Sequence, residues 1–344
     1  MTRLHQLGVT GHLFMSKGGA LLRKIVWMIA VLLAFWAPQT VKADSPGFTA
    51  TPVFKAGTPP TTSYFDLTVK PGTTEPLAVQ VQNTGKAPVT LNVQMINAYS
   101  QSNGQVGYAP NQFRDPSAQY QLTDFTPGKQ VVTLQPGTKQ IVSFPAKIPT
   151  GGFRGQILGG IYVENPKPTN PDAQIKNQFA VLIGVRLQTS TTLIAPDLKL
   201  TRVEAQRQDN QFAVINHIQN FEPRLFGGLA IEATITKVGD NQPVVSRKVK
   251  DYQMAPNSDL AFGVYPKSLA PGDYTSTIDA TAGKLHWHFS QKFTVTAKQL
   301  KKYGATQASP PSSWPWWWIA AGVGLVVLLV LLWFILARRR KRKN

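Results

Sequence analysis

Residues 179–187 read Phe-Ala-Val-Leu-Ile-Gly-Val-Arg-Leu, with Phe179, Val181, Ile183, Val185 and Leu187 at every second position. Side chains alternate across a strand, so this run lays five apolar groups on one face and leaves Arg186 on the other. It is the longest such run, and shorter ones flank it. Phe65, Leu67 and Val69 precede Pro71-Gly72; Leu77, Val79 and Val81 precede Asn83; Val89, Leu91 and Val93 follow. Val132 and Leu134 come before Pro136-Gly137, then Ile141 to Phe144 and Ile157 to Val163. Pro-Gly pairs at 71, 127, 136 and 271 punctuate the runs as turns do, and no 3.6-residue apolar stripe occurs before residue 314. Many short strands so spaced predict an all-β chain of β-sandwiches and not a parallel α/β sheet.

Asn165 to Asn170, with Pro166, Pro168 and Pro171, interrupts this pattern without ending the first domain, because the 179–187 strand is available to close it. The better boundary is Ala195-Pro196. A second set follows: Leu198 and Leu200, Phe212 to Ile218, Leu229 to Ile235, Tyr274 to Ala280, and Leu285 to Val295. Two sandwich domains in tandem are expected, 44–195 and 196–298, with 299–313 a Gln-, Lys- and Pro-bearing linker.

The ends explain most of the charge. Of 36 Lys and Arg, five precede Asp44 and six fill 338–343, leaving 25 against all 17 acidic residues between them. The net of +19 is therefore about +8 over 44–313, which ordinary surface lysines account for. A mildly cationic ectodomain also favours an anionic wall by long-range attraction. Nucleic acid is not expected, because the only dense basic run adjoins an apolar segment. There is no cysteine, which excludes a thiol nucleophile, Cys-ligated zinc and a disulfide framework.

Arg23 and Lys24 precede the 13 apolar residues Ile25 to Ala37, and Val41-Lys42-Ala43 follows. As a helix that run reaches only about 20 Å, short of a hydrocarbon core of roughly 30 Å. A signal peptide over 1–43, cleaved after Ala43, is expected, and the long n-region points to Met15 as the true start. At the other end Ile319 to Ala337 carries neither charge nor proline, about 28 Å as a helix. Trp314, Trp316, Trp317 and Trp318 border it, and Arg338 to Lys343 follow directly. A transmembrane helix with its tryptophan belt over 314–337 and a basic cytoplasmic tail over 338–344 are expected. This places 44–313 outside, on a single-pass protein of the cell membrane. No Leu-Pro-x-Thr-Gly sorting signal precedes the span, so the helix is expected to stay as a tether.

Residues 98–130 show no clear strand pattern, long for a compact domain. They hold Tyr99, Tyr108, Phe113, Tyr120 and Phe125 among Asn103, Gln105, Asn111, Gln112 and Arg114. Two readings stand: an Ω-type loop packed by its own aromatics, or a surface where rings stack on sugars and amides bond their hydroxyls. For the second, the candidate glycan-binding residues are Tyr99, Asn103, Tyr108 and Phe113, with Arg154, set between glycines, as an anion contact.

Constellations for catalysis are sparse. The first domain has no histidine, so no Ser-His pair forms within it. Asp115 and Asp124 share the long loop, but no motif makes them a glycosidase pair. Gly151-Gly152-Phe153-Arg154-Gly155 lacks the Lys-Ser/Thr of a phosphate loop. His286 and His288 share a strand face, yet neither cysteine nor a neighbouring acid in sequence completes a zinc set. His217 has no partner in sequence. No enzyme, metal or cofactor is expected.

Several motifs then carry a resemblance. They are Tyr64-Phe65-Asp66-Leu67 with Pro71-Gly72, Ser102-Asn103-Gly104 before Tyr108, and Gly155-Gln156-Ile157-Leu158-Gly159-Gly160-Ile161. In the second domain they are Met254-Ala255-Pro256-Asn257-Ser258, Leu269-Ala270-Pro271-Gly272-Asp273-Tyr274, and Trp287-His288-Phe289. In this order, and with these ends, the chain resembles the WxL-interacting proteins of Gram-positive bacteria. The family's usual Thr before Asn-Gly is Ser102 here. The resemblance implies two immunoglobulin-like domains, one binding peptidoglycan and one a host protein, with secreted WxL-domain proteins as partners. The expectation is a membrane-anchored adaptor at the cell surface. Its alternatives are a membrane-tethered wall enzyme and a chaperone-like sandwich that guides secreted partners by strand addition.

Overall fold

The computed structural model describes residues 46–57, 62–110, 114–167 and 177–303. The expected signal peptide, membrane span, basic tail and Phe113 lie outside the described residues. Among those described, no helix is long and apolar enough to cross a membrane.

The regular structure of the described residues is nearly all β-strand, folded around two separate apolar cores. In the first sandwich, β1 (Phe48–Val53), β3 (Thr74–Asn83) and β7 (Lys139–Lys147) form a three-stranded antiparallel sheet. The facing sheet runs β2 (Phe65–Thr68), β9 (Ala180–Gln188), β8 (Gln156–Glu164), β4 (Val89–Ser100). On the outer side of β4, β6 (Gln130–Leu134) pairs with its first half and β5 (Val106–Tyr108) with its end. The quoted 179–187 run is β9: Ile183, Val185 and Leu187 are buried in this core, between β2 in parallel and β8 antiparallel. Arg186 points outward to a fork-to-fork ion pair with Asp66 of β2.

Among the described residues between β5 and β6 there is no strand, but the segment is anchored. A short 3-10 turn, Leu122–Asp124, drops Leu122 fully into the core, and Phe125 stacks on Phe153 at 5.6 Å. Tyr120 packs on Phe125 at 5.4 Å, and Arg114 donates to the carbonyls of Ala118 and Gln119 while pairing with Asp124. This is the self-packed loop of the first reading. Although 98–130 shows no clear strand pattern in sequence, it holds the end of β4, the whole of β5 and the first residue of β6. A three-residue strand centred on Gly107 is too short to show a period.

The second sandwich packs the sheet β10 (Leu198–Gln208), β11 (Gln211–Asn220), β14 (Ser258–Val264) on a four-stranded one. The latter is ordered β13 (Pro243–Met254), β12 (Phe226–Lys237), β15 (Gly272–Ala282), β16 (Leu285–Val295). Leu229, Ile231, Ala233 and Ile235 of β12 alternate into the core opposite Val214, Ile218, Leu260 and Phe262. Two buried polar side chains pair with each other: Ser276 Oγ donates to Asn216 Oδ1 at 2.6 Å, and Asn216 Nδ2 to the Phe262 carbonyl, whereas Asn220 Oδ1 and Asp259 Oδ1 have no partner among the described residues.

A short helix, α1 (Ala297–Tyr303), closes the described chain and lays Leu300 against the second core. Thr296 and Gln299 cap it reciprocally, Gln299 N–H to Thr296 Oγ1 and Thr296 N–H to Gln299 Oε1. The stretch expected to be linker from 299 therefore begins inside a helix. The reason is a Thr-x-x-Gln capping box, visible in the sequence and missed by periodicity.

Candidate functional site

The sandwiches meet along a polar seam, and residues of three motifs, 102–104, 155–161 and 254–258, reach it. Ser100 ends β4 and is buried: its N–H donates to Ser258 Oγ at 2.7 Å, and its own Oγ accepts from Ala255 N–H at 3.0 Å. At the β4–β5 turn the Gly104 carbonyl accepts Gln253 N–H at 2.7 Å. Gln156 opens β8 and bonds twice across, from its N–H to the Pro223 carbonyl at 2.8 Å and from Leu225 N–H to its Oε1 at 3.0 Å. Asn257 Nδ2 donates to Phe221 O at 2.8 Å and to Ser117 O and Oγ, each at 3.1 Å. Its backbone is left-handed, φ +46°, a conformation asparagine tolerates better than most residues.

Glycine permits the close approach at two of these points. A Cβ on Gly104 would lie 2.1 Å from the Tyr252 ring, and one on Gly155 would lie 2.3 Å from the Pro223 carbonyl. The Gln219 amide also reaches Asp115, and Arg154 pairs with Glu222. Ser100, Gln156, Gln219 and Ser258 are all buried, and burying polar groups is tolerable when each finds a partner.

The candidate residues do not form one cluster. Tyr99 and Asn103 line an open groove of about 610 Å³ at the seam, together with Ser100, Gln101, Gln208, Asp209, Arg247 and Tyr252. Arg154 lines a separate cleft of about 210 Å³ with Tyr120, Phe153, Pro223 and Asn257, its guanidinium engaged by Glu222. Tyr108 sits on β5 opposite Ala98, away from both linings, where burial pushes its phenol above the ordinary value. Asn103 Oδ1 closes the hairpin turn by accepting Gln105 N–H at 3.1 Å.

Sequence reasoning missed the second-domain half of the groove. Arg247 occupies a core-facing position of β13, opposite Ala233. Its guanidinium lies 4.7 Å over the Phe262 ring and 5.2 Å over Tyr265, and it donates to the Gly263 carbonyl and to Tyr252 Oη. Tyr265 Oη donates to Asp209 Oδ2 at 2.6 Å, and burial with this carboxylate pushes the phenol up to about 12. The signal available was an arginine breaking the apolar alternation of 243–254.

His217 has two partners, both carboxylates: Nδ1 faces Asp259 Oδ2 at 2.5 Å, and Nε2 faces Glu204 Oε1 at 3.1 Å. Burial pushes the Glu204 carboxyl up, but hydrogen bonds from Gln206 and Arg202 and the charges of Arg202 and His217 outweigh it. They hold it below the ordinary 4.5. A depressed folded pKa stabilises above the unfolded value, and that contribution fades as pH falls through the folded one. The difference in urea midpoint between the wild type and Glu204→Gln should be widest near neutrality and close below about pH 4.5. A difference constant across pH would assign the effect to shape alone.

The acid missing in sequence from His286 and His288 is supplied across the sheet by Asp279, 2.8 Å from His288 Nδ1 and 3.6 Å from His286 Nε2. Even so, among the described residues no three such side chains are arranged to hold a metal. The two loop carboxylates are engaged in structure. Asp115 accepts from Ser117 and Gln219, and Asp124 from Arg114 and the Gln121 N–H.

Residues 48–165 match the peptidoglycan-binding domain of the WxL-interacting proteins, and residues 170–305 match the host-binding domain of the same proteins. The chain belongs to the WxL-interacting protein family. Within this family member the second match begins before β9, a strand whose side chains belong to the first core. No curated protein matches the chain. Among solved structures it is similar to a chaperone–tip adhesin complex of CFA/I fimbriae, at 15% identity and TM-score 0.28, covering 70% of this chain and 97% of that one. It is also similar to PapD-like domain 7 of human CEP192, at 17% identity and TM-score 0.27, covering 45% and 94%. The class 5 fimbriae chaperone CfaA gives 14% identity and TM-score 0.21, covering 66% and 93%.

Proposed function

We propose that this chain is a non-enzymatic adaptor of the bacterial surface. Its first immunoglobulin-like sandwich holds peptidoglycan, and its second meets a WxL-domain or host extracellular protein. The C-terminal helix expected from the sequence tethers both to the outer face of the membrane. The observation that carries this reading is the pair of family matches, one to each binding domain, in a single chain whose sandwiches are joined by a buried polar seam. Loop carboxylates held by structural bonds favour binding over hydrolysis.

The test is co-sedimentation of the purified protein with sacculi, alone and with a WxL-domain protein. Capture of the protein by intact sacculi, and of the partner only in its presence, is the expected result. Release of soluble muropeptides would identify an enzyme instead. Failure to sediment would remove the wall-binding role. Cutting the chain at residue 195 is a poor alternative, because it would strip partners from Ser100, Gln156 and Asn257 together, Asn257 losing Ser117.

A further inference from the structure

We infer that the seam groove is a glycan subsite to which both sandwiches contribute, so that sugar binding is not confined to the first domain. This rests on the wall-binding reading above and extends it. The family match places peptidoglycan binding within 48–165, whereas half of this groove comes from Gln208, Asp209, Arg247 and Tyr252.

The lining selects the ligand class. At about 610 Å³ the groove has the size of a small-molecule site and admits one or two sugar rings. Tyr99 supplies a ring whose face suits the CH face of a pyranose, while Tyr252, buried beneath Gly104, holds Arg247 through its hydroxyl. Gln101 and Asn103 supply primary amides, which both donate and accept and so match acetamido and hydroxyl groups, while the Gln208 amide is held by the Ala261 carbonyl and the Tyr265 hydroxyl. The single cation and single anion, Arg247 and Asp209, roughly cancel, which disfavours a polyanion. With few apolar side chains in the lining, the groove offers little to a hydrophobic peptide.

Arg247 is built to meet a carboxylate. It is held in place by two aromatic rings and two acceptors, so its planar fork is pre-organised. The Tyr265–Asp209 bond fixes the carboxylate at the β10–β11 turn. An N-acetylated muramyl unit whose attached peptide brings a free carboxylate satisfies ring, amides and guanidinium together.

The experiment uses the purified full chain, with two ligands: sacculi by co-sedimentation, and a soluble N-acetylglucosaminyl-N-acetylmuramyl peptide by calorimetry. Tyr99→Ala removes a ring. Asp209→Gly removes the carboxylate and suits the left-handed backbone there, φ +51°. Lys248→Ala, on the exposed face of β13 beside Glu232, is the control. Each groove variant should weaken the soluble fragment at least fivefold while melting like the wild type, and the control should bind unchanged. Should Tyr99→Ala fail to fold, Asp209→Gly carries the test from an exposed turn. Undiminished binding by the groove variants, with the wild type still held on sacculi, would overturn the groove and leave the wall-binding reading intact. Equal binding of the stem peptide without its sugars would overturn the glycan assignment. A wild type that ignores sacculi would overturn both.

Discussion

Replacing Gly104 with alanine should loosen the joint between the sandwiches while leaving each core folded. Gly104 has φ +78°, where an L side chain costs about 1–2 kcal/mol. Its new methyl would also start 2.1–2.3 Å from three ring atoms of Tyr252. That ring cannot swing aside cheaply, being buried edge-on to Phe262 at 6.1 Å with its hydroxyl bonded to Arg247. Overpacking of this kind costs about 1–3 kcal/mol, so a total of about 2–5 kcal/mol is expected. The readout is amide hydrogen exchange. Protection of Gln253, bonded to the Gly104 carbonyl, and of Ser100 should fall by at least tenfold, while Val81 and Ile278 keep theirs. Unchanged exchange at Gln253 would show that the hairpin tip does not hold the seam.

The second large effect is expected at Gly159→Ala, inside the first sandwich. Gly159 lies on β8 opposite Asn97, on the face turned to the core. Its missing Cβ leaves room for the Ile96 carbonyl, 2.3 Å from where a methyl would sit, and for Leu122, 2.7 Å away. One neighbour is backbone and the other fills the core beneath the 3-10 turn, so neither yields without shifting β4 or expelling Leu122. A cost of about 3 kcal/mol is expected, at the upper end of overpacking. That corresponds to a fall of roughly 6–12 °C in melting temperature. Gly184→Ala is the internal comparison, since its Cβ would meet only Tyr64 at an ordinary 3.5 Å. If the two substitutions melt alike, the Leu122 plug is not what glycine serves.

Where alternation was unbroken, the sequence was a good guide: β3, β8, β9, β11 and β12 stand where period-two runs of Val, Ile and Leu announced them. Two of the strands that sequence reasoning passed over carry a physical reason. On β13 the core-facing row is Val245, Arg247, Val249, so a charge interrupts the pattern, and an irregular register near left-handed Asp251 then shifts it. On β5 there are only three residues. The seam was harder still. Ser100 and Ser258 are 158 residues apart, and neither has a periodic or compositional mark that says it will be buried. Their motifs read singly as turns and bulges, and their meaning as a joint exists only in three dimensions. Tyr99 and Asn103 were singled out for aromatic and amide chemistry. The structure gives them a groove but supplies its other wall from residues more than a hundred positions away.

The paired bonds of Gln156 and Asn257 bear on how such a chain can be inherited. Each sandwich has its own core, so either one looks exchangeable with a similar domain from another chain. Yet Gly155-Gln156 fits only a partner that offers a carbonyl and an N–H two residues apart, as Pro223 and Leu225 do. Ser100 and Ser117 likewise require a bend like 255–258. A recombinant that swaps one half must carry the matching half of the joint or leave buried amides unpaired, at about 1–3 kcal/mol for each group. The two domains are therefore separable as folds but linked as a lineage, and the short motifs on either side are the units that must travel together.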